Sequence, residues 1–139
     1  MNKADLIAIR PMQEDDKNFI LSTFLRGLYH GNSWFSLIPK NIFMVHYHKV
    51  ATALVESPNH EKTIACLKDD PSVILGYAIH HQALDKIVLD YTFVKSSWRG
   101  IGIAKSIVPE GVSAITHLTK LGMSIWQKKA PNAVFNPFI

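Results

Sequence analysis

Apolar residues recur with two periods along the chain, and each period marks its own elements. Leu6 to Arg10 alternates and predicts a first strand, with Pro11 ending it or marking a sheet edge. Asp15 or Asp16 can cap a helix running to about Leu28, with Ile20, Phe24 and Leu28 on its buried face. Tyr29 to Phe35 reads as a loop of unusual aromatic content. Pro39 suits the first turn of a second helix that reaches about Glu56, before Pro58; Phe43, Tyr47, Val50 and Leu54 give it a core face. Thr63 to Leu67, Val73 to His81 and Lys86 to Val94 predict three strands. The turn candidates between them, 68–72 and 83–85, are short, which makes an antiparallel meander. A further helix begins near Gly100 and reaches towards Leu121, with Ala104, Ile107, Val108, Ile115 and Leu118 on one face; Pro109 must kink or split it. Gly122 suits its stop, Met123 to Gln127 predicts one more strand, and PNAVFNPFI closes the sequence.

Composition narrows the class. At 139 residues, 47% apolar and 19% charged, the sequence describes one globular domain, 1–139, rather than a disordered tail. No apolar run approaches the ~20 residues that cross a bilayer, and MNKADLIAIRP lacks the pattern of a secretory signal. Cys66 is the only cysteine, which excludes an internal disulfide and suits a reducing, cytoplasmic location. The formal charge of +4 favours an anionic partner. Nucleic acid is permitted, but the basic residues are scattered, with Lys128–Lys129 the one notable pair, and no nucleic-acid signature is present. His46 and His48 diverge on a helix, and no His, Cys, Asp or Glu spacing resembles a zinc motif, so no metal is expected.

The informative stretch is FVKSSWRGIGIAK, Phe93 to Lys105, where a buried-strand pattern runs through Gly100 and Gly102 into a helical one. Glycines let backbone approach an anion closely, and the first N–H groups of a helix lack partners. The stretch reads as a diphosphate cradle. It is not a dinucleotide fingerprint, since Lys105 stands where the third glycine belongs, and it is not a Walker A loop. What fits is R/Q-x-x-G-x-G/A, met by Arg99, Gly102 and Ala104.

That motif resembles the acyl-CoA pyrophosphate loop of the GCN5-related N-acetyltransferase (GNAT) superfamily. The spacing from Val94 to Arg99 and Gly100, the opening IAIRPMQEDD, and Gly76 in the strand before are similar to that family as well. The resemblance runs from the first strand to about residue 128. It implies a mixed α+β fold, a mostly antiparallel central sheet flanked by helices. It implies an enzyme that uses acetyl-CoA to N-acetylate an amine acceptor by direct attack. Phe93, Val94, Arg99, Gly100, Ile101, Gly102, Ile103, Ala104 and Lys105 would bind the cofactor, and an amide near Phe93 or Val94 would polarise the thioester carbonyl. Asp90 is the first candidate for general base, with Tyr91, His80 and His81 as alternatives; Trp34 and Phe35 could line the acceptor pocket.

The resemblance thins at the end of the chain. The family usually adds a helix and two strands after its fifth strand, often with a tyrosine for the departing thiolate; here no tyrosine follows Tyr91. Ser124, solvent or a second subunit would then serve, or catalysis has been lost. An exposed edge at Met123–Gln127 would favour a homodimer. Two other readings stand beside the enzyme: a non-catalytic CoA-binding or interaction module, and a GNAT-like enzyme that modifies nucleic acid.

Overall fold

A computed structural model of the chain describes residues 2–139. Six strands form one sheet in chain order: β1 (Ile7–Pro11), β2 (Glu61–Leu67), β3 (Ile74–Ala83), β4 (Lys86–Val94), β5 (Val112–Ile115) and β6 (Val134–Phe135). Strands β2 to β4 pair antiparallel, as the short turns predict, and β1 pairs antiparallel with β2, whereas β5 joins β4 and β6 joins β5 in parallel. Helices α1 (Lys17–His30) and α2 (Lys40–Glu56) connect β1 to β2, α3 (Ile103–Ile107) lies between β4 and β5, and α4 (Lys120–Lys129) makes the crossover to β6.

Strand alternation divides the interior in two. Ile64, Cys66, Tyr77, Ile79 and Tyr91 pack with Ile20, Phe24 and Leu28 of α1 and Phe43, Ala51 and Val55 of α2. Ala65, Leu75, Ala78 and Leu89 face the other way, onto Ile103 and Ile107 of α3 and Ile115. The predicted α1 face is therefore the buried one. In α2 the buried stripe is Phe43, Ala51 and Val55, with Tyr47, Val50 and Leu54 only partly covered at its margin. No described helix is long and apolar enough to cross a membrane.

One ion pair locks the first strand to the first helix. Both terminal guanidinium nitrogens of Arg10 reach Asp16, at 2.6 and 2.9 Å, and the same carboxylate accepts from the Gln13 N–H at 2.7 Å. Asp16 is nearly buried, so removing either partner strands the other. Asp16→Ala should destabilise the fold by on the order of 3 kcal/mol in denaturant titration. The hydrogen bond from Arg10 holds the Asp16 carboxyl below the ordinary carboxylate range. Its contribution is therefore present above the ordinary aspartate pKa and is lost as pH falls through the lowered one. A melting series from pH 5 down to pH 2 should show that loss in the wild type and lack it in Asp16→Ala.

After Pro109 the elements differ from the sequence expectation. The helix beginning near Gly100 lasts five residues, because Pro109 has no N–H to donate and Gly111 turns the chain at φ +79°. Val112 to Ile115, expected inside that helix with Ile115 on its apolar face, is β5 instead. Met123 to Gln127, expected as a strand, lies inside α4, and Gly122 is within that helix rather than past its end. Thr119 explains the change: its side chain accepts from the Gly122 N–H at 3.0 Å and caps the helix, while Lys128 and Lys129 favour its C-terminus. The expected edge at Met123–Gln127 is thus not a sheet edge; β6 is. The chain also carries a helix and a further strand after β5, elements the sequence reading left out.

Candidate active site

Strands β4 and β5 part company halfway along. They pair only through Ile87, Val88 and Leu89, with a last bond from the Thr116 N–H to the Leu89 carbonyl at 3.1 Å. Beyond that point Tyr91 to Val94 keep β3 on one side and have no strand on the other. The Lys95 N–H binds the Leu75 carbonyl at 2.8 Å, which fixes the alternation: the N–H groups of Thr92 and Val94 point away from β3, into the gap. A cavity of about 850 Å³ fills this opening, floored by Tyr91 to Val94 and walled by α1, α4 and the loop after β4.

The loop is built to leave donors free. Gly100 and Gly102 have φ of +81° and +92°, conformations that exclude most side chains, and a Cβ on either would meet nothing within 4 Å. Among the described residues, the N–H groups of Gly100 to Lys105 find no acceptor. Arg99 is tied to the end of β4, its Nε donating to the Val94 carbonyl at 3.1 Å. Arg99, Lys105, Lys120 and Lys129 line the cavity, and no carboxylate does. A five-residue helix adds little dipole, so an anion here would be held by the unpaired N–H groups and the cations. Of the expected cofactor residues, Phe93, Val94, Arg99, Gly100, Gly102, Ile103, Ala104 and Lys105 line the cavity; Ile101 packs towards the core.

The catalytic candidates separate. Asp90 is the extra residue of a β-bulge, since Ile79 pairs Tyr91 and His80 pairs Leu89. Its side chain is buried, not open to the large cavity: Oδ2 lies 2.7 Å from His81 Nδ1, and Oδ1 accepts from the Thr116 hydroxyl at 3.0 Å. Thr116 Oγ1 is in turn 2.9 Å from His117 Nδ1. The structure thus joins His81, Asp90, Thr116 and His117 in one hydrogen-bonded chain, and burial pushes the His117 imidazole below its ordinary pKa. His80 faces the other way, 3.5 Å from Thr63. Tyr91 does line the cavity, and its hydroxyl sits where α1 passes closest, so that a Cβ on Gly27 would collide with it. Burial raises the Tyr91 pKa to about 12, which keeps the phenol protonated at neutral pH and unsuited to act as a base. Trp34 is exposed and in neither cavity, Phe35 lines a smaller one of about 340 Å³, and Ser124 binds the Leu121 carbonyl on α4.

Sequence spacing also hid a cluster. His60, from the loop before β2, joins His81 and Asp90, and the three offer ligand atoms within 4.8 Å of one another. Two atoms on one tetrahedral zinc stand ~3.3 Å apart, given bonds of about 2.0 Å. The 2.7 Å contact between His81 and Asp90 is shorter than that and has the length of a hydrogen bond. His60 Nδ1 is held 2.8 Å from Ser57 Oγ, so these groups read as a positioned polar network.

Solved structures share this architecture. A Pyrococcus furiosus protein described as an acetyl transferase superposes with a TM-score of 0.60 at 14% identity, over 94% of this chain and 80% of that one. A Bacillus subtilis protein described as an acetyltransferase gives 0.64 at 14% identity, over 89% and 90%. An acetyltransferase of the GNAT family from Staphylococcus aureus Mu50 gives 0.52 at 14% identity, over 76% and 63%. No protein-family model and no curated protein matches the sequence. The chain has the fold of the GCN5-related N-acetyltransferases.

Proposed function

We propose that the protein is an acyl-CoA-dependent N-acyltransferase, a single catalytic domain over 1–139 that moves acetyl from acetyl-CoA to an amine by direct attack. The observation that carries this reading is the run of six unpaired N–H groups, Gly100 to Lys105, at the mouth of a carboxylate-free, cation-lined cavity beside β4. A CoA diphosphate is the anion that this cradle suits, and the fold supports it. When bound, acyl-CoA supplies a thioester, an activated acyl group with a stable thiolate to leave.

The chain's own groups then divide the work. The Val94 N–H, turned into the gap, would polarise the acyl carbonyl. Tyr91 holds its proton too tightly to give it up to a thiolate, whose ordinary pKa is near 8.5. Its hydroxyl would instead donate a hydrogen bond to the sulfur as charge develops. Asp90 acts from within the protein, through Thr116 on one side and His81 on the other. Tyr91→Phe should lower kcat by about tenfold, the usual worth of a hydrogen bond to a charged group, and leave the KM for acetyl-CoA unchanged.

The reading carries a cytoplasmic location, with Cys66 buried and reduced. It also carries a homodimer, now through β6, where Val134 and Phe135 stay half exposed at the sheet edge; light scattering reads that directly. The function is tested by thiol release from acetyl-CoA across an amine panel. Release that depends on the amine is expected. Acetyl-CoA binding without release for any amine would favour the non-catalytic module instead.

A further inference from the structure

The segment from Thr116 to Lys120 lines two neighbouring cavities in turn. Thr119 and Lys120 line the larger one, while Thr116, His117 and Leu118 line the smaller. The smaller cavity is walled by Leu28 of α1, Phe35, Tyr47 of α2, and Phe135 and Phe138 of the C-terminal segment. No residue lining it carries a formal charge.

The hydrogen-bonded chain fixes how His117 presents itself. A carboxylate only accepts, so Thr116 spends its one hydroxyl hydrogen on Asp90 Oδ1, at 3.0 Å. Thr116 Oγ1 can then only accept from His117 Nδ1, at 2.9 Å, and that nitrogen carries the ring proton. In the neutral ring the lone pair is left on Nε2, which has no protein partner among the described residues. His117 and Tyr91 pack on the same ring, Phe24, at centroid distances of 5.5 and 4.6 Å, so one aromatic side chain is shared between the residue on the smaller cavity and the one on the larger.

Resting on the transferase reading above, we propose that Nε2 of His117 accepts the proton of the acceptor amine, whose uncharged aromatic or aliphatic body occupies the smaller cavity. Uncharged walls favour the neutral amine, the nucleophilic form, and disfavour an acceptor carrying further charges. In the transfer the amine nitrogen forms a bond to the acyl carbon and the carbon–sulfur bond breaks. The amine proton passes to Nε2 and the electron pair leaves on the thiolate, which takes a proton from solvent as His117 returns its own. Burial keeps His117 neutral, so activity should rise through its lowered pKa and hold on the alkaline side. The titratable groups facing it are Asp90, with His81 and His60 behind it, Tyr91 across Phe24, and Tyr47 from α2, whose phenol burial keeps protonated.

The test is steady-state turnover of 2-phenylethylamine and spermidine, with acetyl-CoA calorimetry on each variant. The wild type should prefer 2-phenylethylamine. His117→Gln should lower kcat by about 10² to 10⁴ fold, abolish the acid limb of the pH profile and leave acetyl-CoA affinity unchanged. Thr116→Val should lower kcat by about tenfold and move the acid limb, with Thr116→Ser restoring both. A His117→Gln enzyme with wild-type turnover and pH profile overturns the inference, as does a preference for spermidine. Acetyl-CoA that binds and is consumed with other amines but with neither of these two overturns the acceptor assignment alone; acetyl-CoA that fails to bind, or that binds and is consumed with no amine, overturns the transferase reading and this inference with it.

Discussion

Gly102→Asp is expected to abolish acetyl-CoA binding while the protein stays folded. The position has φ +92°, so any L-residue pays roughly 1–2 kcal/mol to stand there. That cost leaves the fold intact, because a Cβ at Gly102 meets nothing within 4 Å. What the space receives is a carboxylate, set among the unpaired N–H groups and able to occupy them in place of the proposed diphosphate. Gly102→Ala separates the two effects, since it brings the backbone strain without the charge and should weaken binding only partly. Calorimetry is the readout, with a melting curve to show that both variants are folded. Unchanged affinity in Gly102→Asp would remove the loop from the cofactor site.

Asp90→Asn should lower turnover by about tenfold, the effect expected of Thr116→Val, because Asp90 is closed off from the large cavity and acts through Thr116. An amide can accept through only one atom, so it cannot accept from both His81 and Thr116. Either His81 turns to the tautomer whose Nδ1 accepts, or the amide NH2 faces Thr116 and reverses its hydroxyl, which releases His117 Nδ1. Because Asp90 is 1% exposed, water cannot replace the missing acceptor, and the variant should also lose about 1–3 kcal/mol of stability. Acetyl-CoA affinity should hardly change, since Asp90 does not line that cavity. A variant with full turnover would detach the buried network from catalysis.

The elements legible in the sequence are those whose signals are local. Ile20, Phe24 and Leu28 repeat at the helical period and lie on the buried face of α1; β2 to β4 follow from β-branched runs with short turns. After Pro109 the local signals compete. Val112 to Ile115 fits a helical face as well as a strand, and Ile125 with Trp126 beside Met123 fits a strand as well as a helix. Leu121 and Ile125, four residues apart and both on the large cavity, together with Thr119 ahead of them, were the available helix signal. The glycine loop with its unpaired N–H groups was readable because its donors are contiguous. The polar network was not: His60, His81, Asp90 and the pair Thr116–His117 come from four separate segments, joined by the β2–β3–β4 pairing and by the parallel return of β5 beside the β4 bulge.

We propose that the N–H groups from Gly100 to Lys105 hold an acyl-CoA diphosphate. Nitrogen-15 amide spectra recorded while CoA is titrated into the protein test it most directly. The account predicts saturable shifts concentrated at Gly100 to Lys105 and at Val94, with none at the exposed Lys68 to Ser72 turn. Shifts that spread evenly over the basic surface and vanish in moderate salt, leaving Gly100 to Lys105 unmoved, would contradict it.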